Sequence, residues 1–181
     1  MNPEQQMLKI QAGRDKKRSM RDWIDEEFER LRQKRDQAKQ RAEVFGRLVH
    51  RKWNDIAQAI VRDATKLDVK LAELAQASPA KLITVTTDED VIVVEKQSGP
   101  SYRVSLRLEA PARSIRIERK VVIGPSNEKR DVTERLALEL SEAADEIHIE
   151  HPQQGRMAVD ELSKYALLPI VTTLEKVLSR Q

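Results

Sequence analysis

The sequence contains no cysteine, which excludes disulfide staples, thiol nucleophiles, iron–sulfur clusters and cysteine-ligated zinc. Aromatic residues are only 3% of its 181 residues, leaving few rings for base stacking, sugar platforms or interface anchors. The longest apolar run is ALLPIV at 166–171, against roughly 20 residues needed to span a bilayer. The opening MNPEQQMLKI lacks a basic segment followed by an apolar one, so it does not read as a secretory signal. A cytoplasmic location without membrane contact is the expectation. An excess of one charge is also missing: 33 Lys+Arg stand against 30 Asp+Glu, a net of +3, so no overall field commits the chain to nucleic acid or membrane.

Motifs for phosphate chemistry are missing too. There is no G-x-x-x-x-G-K-[ST] and no G-x-G-x-x-G; the nearest feature, Gly124-Pro125-Ser126-Asn127, lacks the glycines that let backbone amides approach a phosphate. No G-x-S-x-G elbow marks any serine. Neither a solenoid-length repeat nor a low-complexity tract occurs. These absences argue against an enzyme, and no cofactor or metal is implied.

Charge is plentiful: 35% of residues are Asp, Glu, Lys or Arg and 39% are hydrophobic, a composition with much surface per unit of core. The length suits one ordinary domain, or a small domain with an extension. Residues 1–18 are polar, include Gly13 and end in RDKKR, which reads as a disordered basic lead-in. A helix is predicted from Ser19, where Ser19 and Asp22 resemble a capping arrangement and Asp22, Asp25, Glu26 and Glu27 complement the helix dipole. No proline follows until Pro79, and Gly46 is the only glycine in between.

Along this helix small or apolar residues recur at Ile24, Phe28, Leu31, Ala38, Ala42, Phe45, Val49, Trp53, Ile56, Ile60, Ala64, Leu67, Leu71 and Leu74. With Arg35 filling one slot, the steps alternate between 4 and 3 except at two places where 4 follows 4. That is a heptad seam with two stutters. Before residue 42 the stripe is narrow and flanked by mixed charge; beyond it Val44, Leu48, Ala57, Ala59, Val61, Val69, Ala72 and Ala75 widen it. A narrow stripe suits a two-helix seam, a wide one a helix lying on a sheet. The reading is a helical arm over 19–45 and a globular domain over 46–181. A helix from Ser19 to Ala77 would be about 90 Å long, and because helices draw most of their stability from burying an apolar face, dimerisation through the arm is expected. The alternative is a break at Gly46 giving a helical hairpin within one chain.

After Ala77-Ser78-Pro79 the hydrophobic period changes from about 3.6 to 2. Strands are predicted over Lys81–Thr87, Val91–Lys96, Ser101–Glu109 and Ser114–Ile123, separated by Asp88-Glu89-Asp90, Ser98-Gly99-Pro100 and Ala110-Pro111-Ala112. Tyr102, Val104, Leu106 and Leu108 alternate with Arg103, Ser105, Arg107 and Glu109, and Ile115, Ile117, Val121 and Ile123 oppose Arg116, Glu118 and Lys120, so one face is apolar. Residues 131–151 read as a second hairpin in preference to a helix, because Leu136, Leu138 and Leu140 alternate, as do Ile147 and Ile149. Arg156–Arg180 reads as a closing helix bent or interrupted at Pro169. The predicted fold is α+β: a long, coiled-coil-like N-terminal helix, an antiparallel meander, and a C-terminal helix packed on one sheet face.

Charge is unevenly placed. Residues 14–52 hold 14 basic and 8 acidic residues, a local net of +6, whereas residues 139–161 hold 7 acids and one base, a local net of −6. Lys16, Lys17, Arg18, Arg32, Lys39, Arg47, Arg51 and Lys52 are candidate phosphate contacts, giving salt-sensitive nucleic-acid binding with little sequence specificity; Arg103, Arg107, Arg116 and Lys120 are a second candidate patch on the sheet. The competing interpretation is a solvated coiled-coil surface with local ion pairs. Glu146, His148 and Glu150 would share one strand face, an acid/base or metal set in principle, but charge on an edge strand also discourages strand addition. Asp88-Glu89-Asp90 reads as a hairpin tip rather than a calcium loop, and His50 as a solvated or partner-facing residue. Four of the six aromatics, Trp23, Phe28, Phe45 and Trp53, lie on the first helix. Phe45 and Trp53 are read as core. Trp23, Ile24, Phe28, Leu31 and Ala38 are read as the partner contact. The expected role is a non-enzymatic oligomeric interaction or adaptor module that pairs with itself or with a partner protein through the arm, with nucleic-acid binding as the alternative.

Overall fold

The computed structural model describes residues 3–74, 82–97, 101–123 and 128–178, with side chains described within 23–74, 82–97, 101–122 and 131–172. The expected helix stop at Ala77-Ser78-Pro79, the Ser98-Gly99-Pro100 and Gly124–Asn127 turns and the side chains of Lys16, Lys17 and Arg18 lie outside the described residues. The fold is α+β. Helix α1 spans Pro3–Leu74, seven strands follow as β1 (Ile83–Thr87), β2 (Val91–Lys96), β3 (Ser101–Glu109), β4 (Ser114–Ile123), β5 (Glu128–Leu140), β6 (Ile147–His151) and β7 (Gly155–Met157), and α2 covers Val159–Leu178. The chain divides into two compact units, Met1–Val44 and Phe45–Gln181.

Helix α1 begins at Pro3, well before the Ser19 start expected from the sequence, so residues 3–18, read there as a disordered lead-in, are helical. It continues through Gly46 without a break, which removes the helical hairpin; a Cβ at Gly46 would meet nothing within 4 Å, so no close approach demands this glycine. Proline at the first described helical position is compatible with the missing N–H there.

The sheet is a simple meander in the order β1-β2-β3-β4-β5-β6-β7, every neighbour antiparallel. The second hairpin is present, β5 pairing with β6 through Leu138↔Ile149 and Leu140↔Ile147. Its connection is a turn in which the Ser141 hydroxyl accepts from the backbone N–H groups of Asp145 and Glu146, and Ala144 takes a positive φ of 57°. Strand β7 replaces the start expected for the closing helix: Gly155, at φ 75°, supplies the left-handed residue of the β6–β7 turn, and α2 begins three residues later than Arg156. Pro169 lies inside α2, and the helix runs through it.

Within the unit Phe45–Gln181, α1 and α2 cover one sheet face. Phe45, Val49, Trp53, Ile56, Ile60, Ala64 and Leu71 from α1 join Ile92, Val94, Val104, Leu106, Ile115, Ile117, Leu136, Leu138, Ile147 and Ile149 from the sheet and Leu162, Ala166, Leu167 and Ile170 from α2 in one core cluster. The α1 members carry both stutters, so the drift of the seam follows the stripe that meets the sheet. Of the residues expected to widen that stripe, Ala59 is buried while Val61 and Val69 are exposed. Polar ties fix the helices. Asp68 of α1 accepts from the N–H groups of Leu82 and Ile83 at 2.8 and 2.7 Å, anchoring the start of β1, and the fully buried Ser163 of α2 donates to Asp63 at 2.8 Å. Tyr102, inward-facing as expected, donates its hydroxyl to the Ala166 carbonyl at 2.8 Å.

Candidate functional site

Three sites emerge when the fold is read for groups that core packing does not use. The first is the seam of α1 within Met1–Val44. Trp23 is 58% exposed, Phe28 60% and Leu31 52%, and Ile24 is exposed as well. Ala38 and Ala42, which continue the seam, are also exposed. In an isolated helix such side chains face water, and a row of large apolar groups at heptad spacing on a continuous helix is an unsatisfied packing surface. The intervening charges form short-range pairs: Glu27 with Arg30 at 3.1 Å and Glu29 with Arg32 at 3.8 Å, each three residues apart and solvent-exposed, where such pairs contribute little.

The second is the polar face of the sheet. Register places Arg103 opposite Lys120, Ser105 opposite Glu118 and Arg107 opposite Arg116 on β3 and β4, while Arg116 also lies opposite Arg135 on β5. Like charges directly across a ladder oppose pairing, and here Arg107, Arg116 and Arg135 form a row over three strands. This face holds an open groove of about 410 Å³ lined by Val91, Val93, Arg103, Ser105, Arg107, Arg116, Glu118 and Lys120. Arg103 is held by Glu95 at 2.9 Å and Arg116 by Glu118 at 2.7 Å, and Arg135 reaches Glu109 at 3.3 Å. Among the described residues Arg107 and Lys120 make no ion pair, so they carry the groove's uncompensated charge.

The third, which the sequence reading missed, lies between sheet and α2. Arg119 is a charge within the inward alternation of Ile115, Ile117 and Val121, and it is 9% exposed. Its Nη1 donates to Glu134 at 2.9 Å and its guanidinium lies 4.3 Å over the Tyr165 ring, a charge-assisted bond and a cation–π contact that together make burial tolerable. Tyr165 donates to the same Glu134 oxygen at 2.6 Å, and its hydroxyl lies 3.2 Å from His151 Nε2. His151 Nδ1 accepts from the N–H groups of Gln153 and Gln154. That assigns the imidazole proton to Nε2, which donates to Tyr165. Burial first, and the Glu134 carboxylate second, push the Tyr165 phenol above its ordinary range. The network ties β4, β5, the β6–β7 turn and α2 together, and the buried Arg119 Nε has no hydrogen-bond partner among the described residues.

Other sequence candidates are engaged elsewhere. Lys52 pairs with Glu146 at 3.1 Å and Arg156 with Glu150 at 3.3 Å, so the Glu146, His148 and Glu150 set is tied to cations, and His148 lies 4.0 Å from Glu146. Hydrogen bonding by Lys52 holds the Glu146 carboxyl below the usual carboxylate range. Of the basic residues proposed for phosphate contact, Arg32 and Lys52 are therefore ion-paired, while Lys39, Arg47 and Arg51 are exposed. Phe45 and Trp53 are buried in the core, Phe45 beneath the guanidinium of Arg113 at 4.7 Å. Among the described residues no helix is long and apolar enough to cross a membrane. No protein-family model, curated protein or solved structure matches the chain.

Proposed function

We propose that this protein is a non-enzymatic oligomeric interaction module that associates through the seam of α1 within Met1–Val44. The observation that carries the reading is the exposure of Trp23, Ile24, Phe28 and Leu31 on one uninterrupted helix. Such a helix gains stability chiefly by burying its apolar stripe, and a second helix at the seam supplies that burial. The full chain is expected to be dimeric by light scattering, and Phe28→Glu combined with Leu31→Glu is expected to be monomeric with an unchanged thermal midpoint for the remaining fold, because neither residue belongs to the core cluster. A wild-type chain that scatters as a monomer at every concentration tested removes this reading.

A second reading rests on the groove of the sheet. Arg107 and Lys120, unpaired among the described residues, sit with Arg103 and Arg116 around a cavity of about 410 Å³, a surface suited to the phosphates of a single-stranded nucleic acid bound without base stacking. Retardation of mixed-sequence single-stranded DNA and RNA at low salt, weakened at moderate salt and abolished by Arg107→Glu with Lys120→Glu, is the expected result. The absence of any shift at low salt eliminates it.

A further inference from the structure

We infer that the groove on the polar face of the sheet selects RNA over DNA: a ribose of the bound strand lies over Ser105 and Glu118, and its 2′-hydroxyl donates to the Glu118 carboxylate. The inference rests on the nucleic-acid reading above and adds the class of strand and the residue that selects it.

Three rows cross β3 and β4 on this face. Register sets Arg103 opposite Lys120 at one end and Arg107 opposite Arg116 at the other, with Ser105 opposite Glu118 between them. The two basic ends are four residues apart, about 13 Å along a strand. A phosphate midway would sit on the Glu118 carboxylate, whereas a strand with repeating phosphates puts one at each end and a sugar over the middle row. Each end also keeps a cation for a phosphate. Glu95 holds Arg103 and Glu118 holds Arg116, but among the described residues Lys120 makes no ion pair at the first end and Arg107 none at the second. Register places Asp131 of β5 beside Lys120 and Arg135 beside Arg116, so the Arg107 end carries the greater positive charge.

The middle row has the opposite chemistry. Glu118 is half-buried, and its Oε1 lies 2.7 Å from Arg116 Nη2. A carboxylate accepts through both oxygens, so this pair leaves it able to take a further donor. It repels phosphate and offers no proton of its own. A ribose hydroxyl is the donor that a strand places between its phosphates; deoxyribose has none, and a hydroxyl bound to a carboxylate makes a charge-assisted bond. Little else in the groove discriminates. Its remaining wall is Val91 and Val93, and among the described residues no ring lines it, so bases find no stacking platform and the sugar is what the lining reads. The competing role for Glu118 is that of counter-ion alone to Arg116, which stands between Arg107 and Arg135 in its row. Removing it would then tighten RNA and DNA binding equally.

Fluorescence anisotropy on the full chain at low salt separates these roles, with labelled uridine strands of one length that differ only at the 2′ position: ribo, deoxy and 2′-O-methyl. The ribo strand is expected to bind about tenfold tighter than either of the others. In Glu118→Ala the ribo and deoxy strands are expected to bind alike, and both more tightly than the deoxy strand binds the wild-type chain, because Arg116 is freed and no carboxylate faces the phosphates. Equal binding of the three strands by the wild-type chain, or a ribo preference that Glu118→Ala retains, overturns the inference and leaves the nucleic-acid reading standing. So does a 2′-O-methyl strand that binds as tightly as the ribo strand, a result on the wild-type chain that does not depend on how the variant folds. Failure of every strand to bind at low salt removes the nucleic-acid reading itself, and a labelled oligoglutamate that binds where no strand does reassigns the groove to an acidic protein segment.

Discussion

Tyr102 shows how one residue can report on the whole fold. It is nearly fully buried, its hydroxyl donates to Ala166, and burial pushes its phenol from 10.0 up to about 12, opposed by the nearby Arg119. The folded state therefore keeps a proton that the unfolded chain releases above pH 10. The stabilisation is complete below pH 10 and is lost as pH rises through about 12. Urea titrations across that window are expected to show a decline in stability that is shallower in Tyr102→Phe, with the variant about 1 kcal/mol less stable near neutrality from the lost hydrogen bond. Equal alkaline slopes would exclude Tyr102 as the titrating group. Arg119 teaches the complementary lesson. A charge in the middle of an inward-facing strand row reads locally as a surface residue, and its burial depends on Glu134 and Tyr165, 15 and 46 residues away. No periodicity encodes partners at that separation.

At the scale of elements, alternation and spacing were sufficient for most of the sheet. Ranges read for β2, β3 and β4 coincide with the observed strands, because one buried face imposes a strict period of 2 on each. Strand β7 escaped because three residues are too few to show a period, and its Gly155 read as a helix approach. A strand so short at the edge presents little unpaired backbone to another chain. Asp68 escaped for a different reason. On a charged helix it looks like one more solvated acid, yet it receives two backbone N–H groups that β1 leaves unpaired at its start. Asp68→Ala is expected to cost about 2 kcal/mol in urea unfolding, with Asp68→Asn losing less because an amide oxygen still accepts. A loss below about 0.5 kcal/mol in the alanine variant would mean that water replaces the carboxylate there.

For the molecule as a whole, the near-neutral total hid an uneven distribution, and part of that unevenness is neutralised internally. Lys52 from the basic stretch meets Glu146 from the acidic one, and Arg62 of α1 pairs with Asp160 at the start of α2. Among the described residues, Arg107 and Lys120 of the sheet groove make no ion pair. The heptad spacing determined by itself that the first helix is long, and the alternation determined a meander with one apolar face; both are local periodicities that hydrophobic burial reads directly. Tertiary structure alone decided which stretch of that one seam is consumed. From Phe45 to Leu71 the seam joins the core with the sheet and α2, while Ile24, Phe28, Leu31 and the final Leu74 stay exposed. Identical spacing serves a helix stripe buried on its own sheet and a stripe that stays exposed, and the difference lies in whether strands further along the chain arrive to cover it.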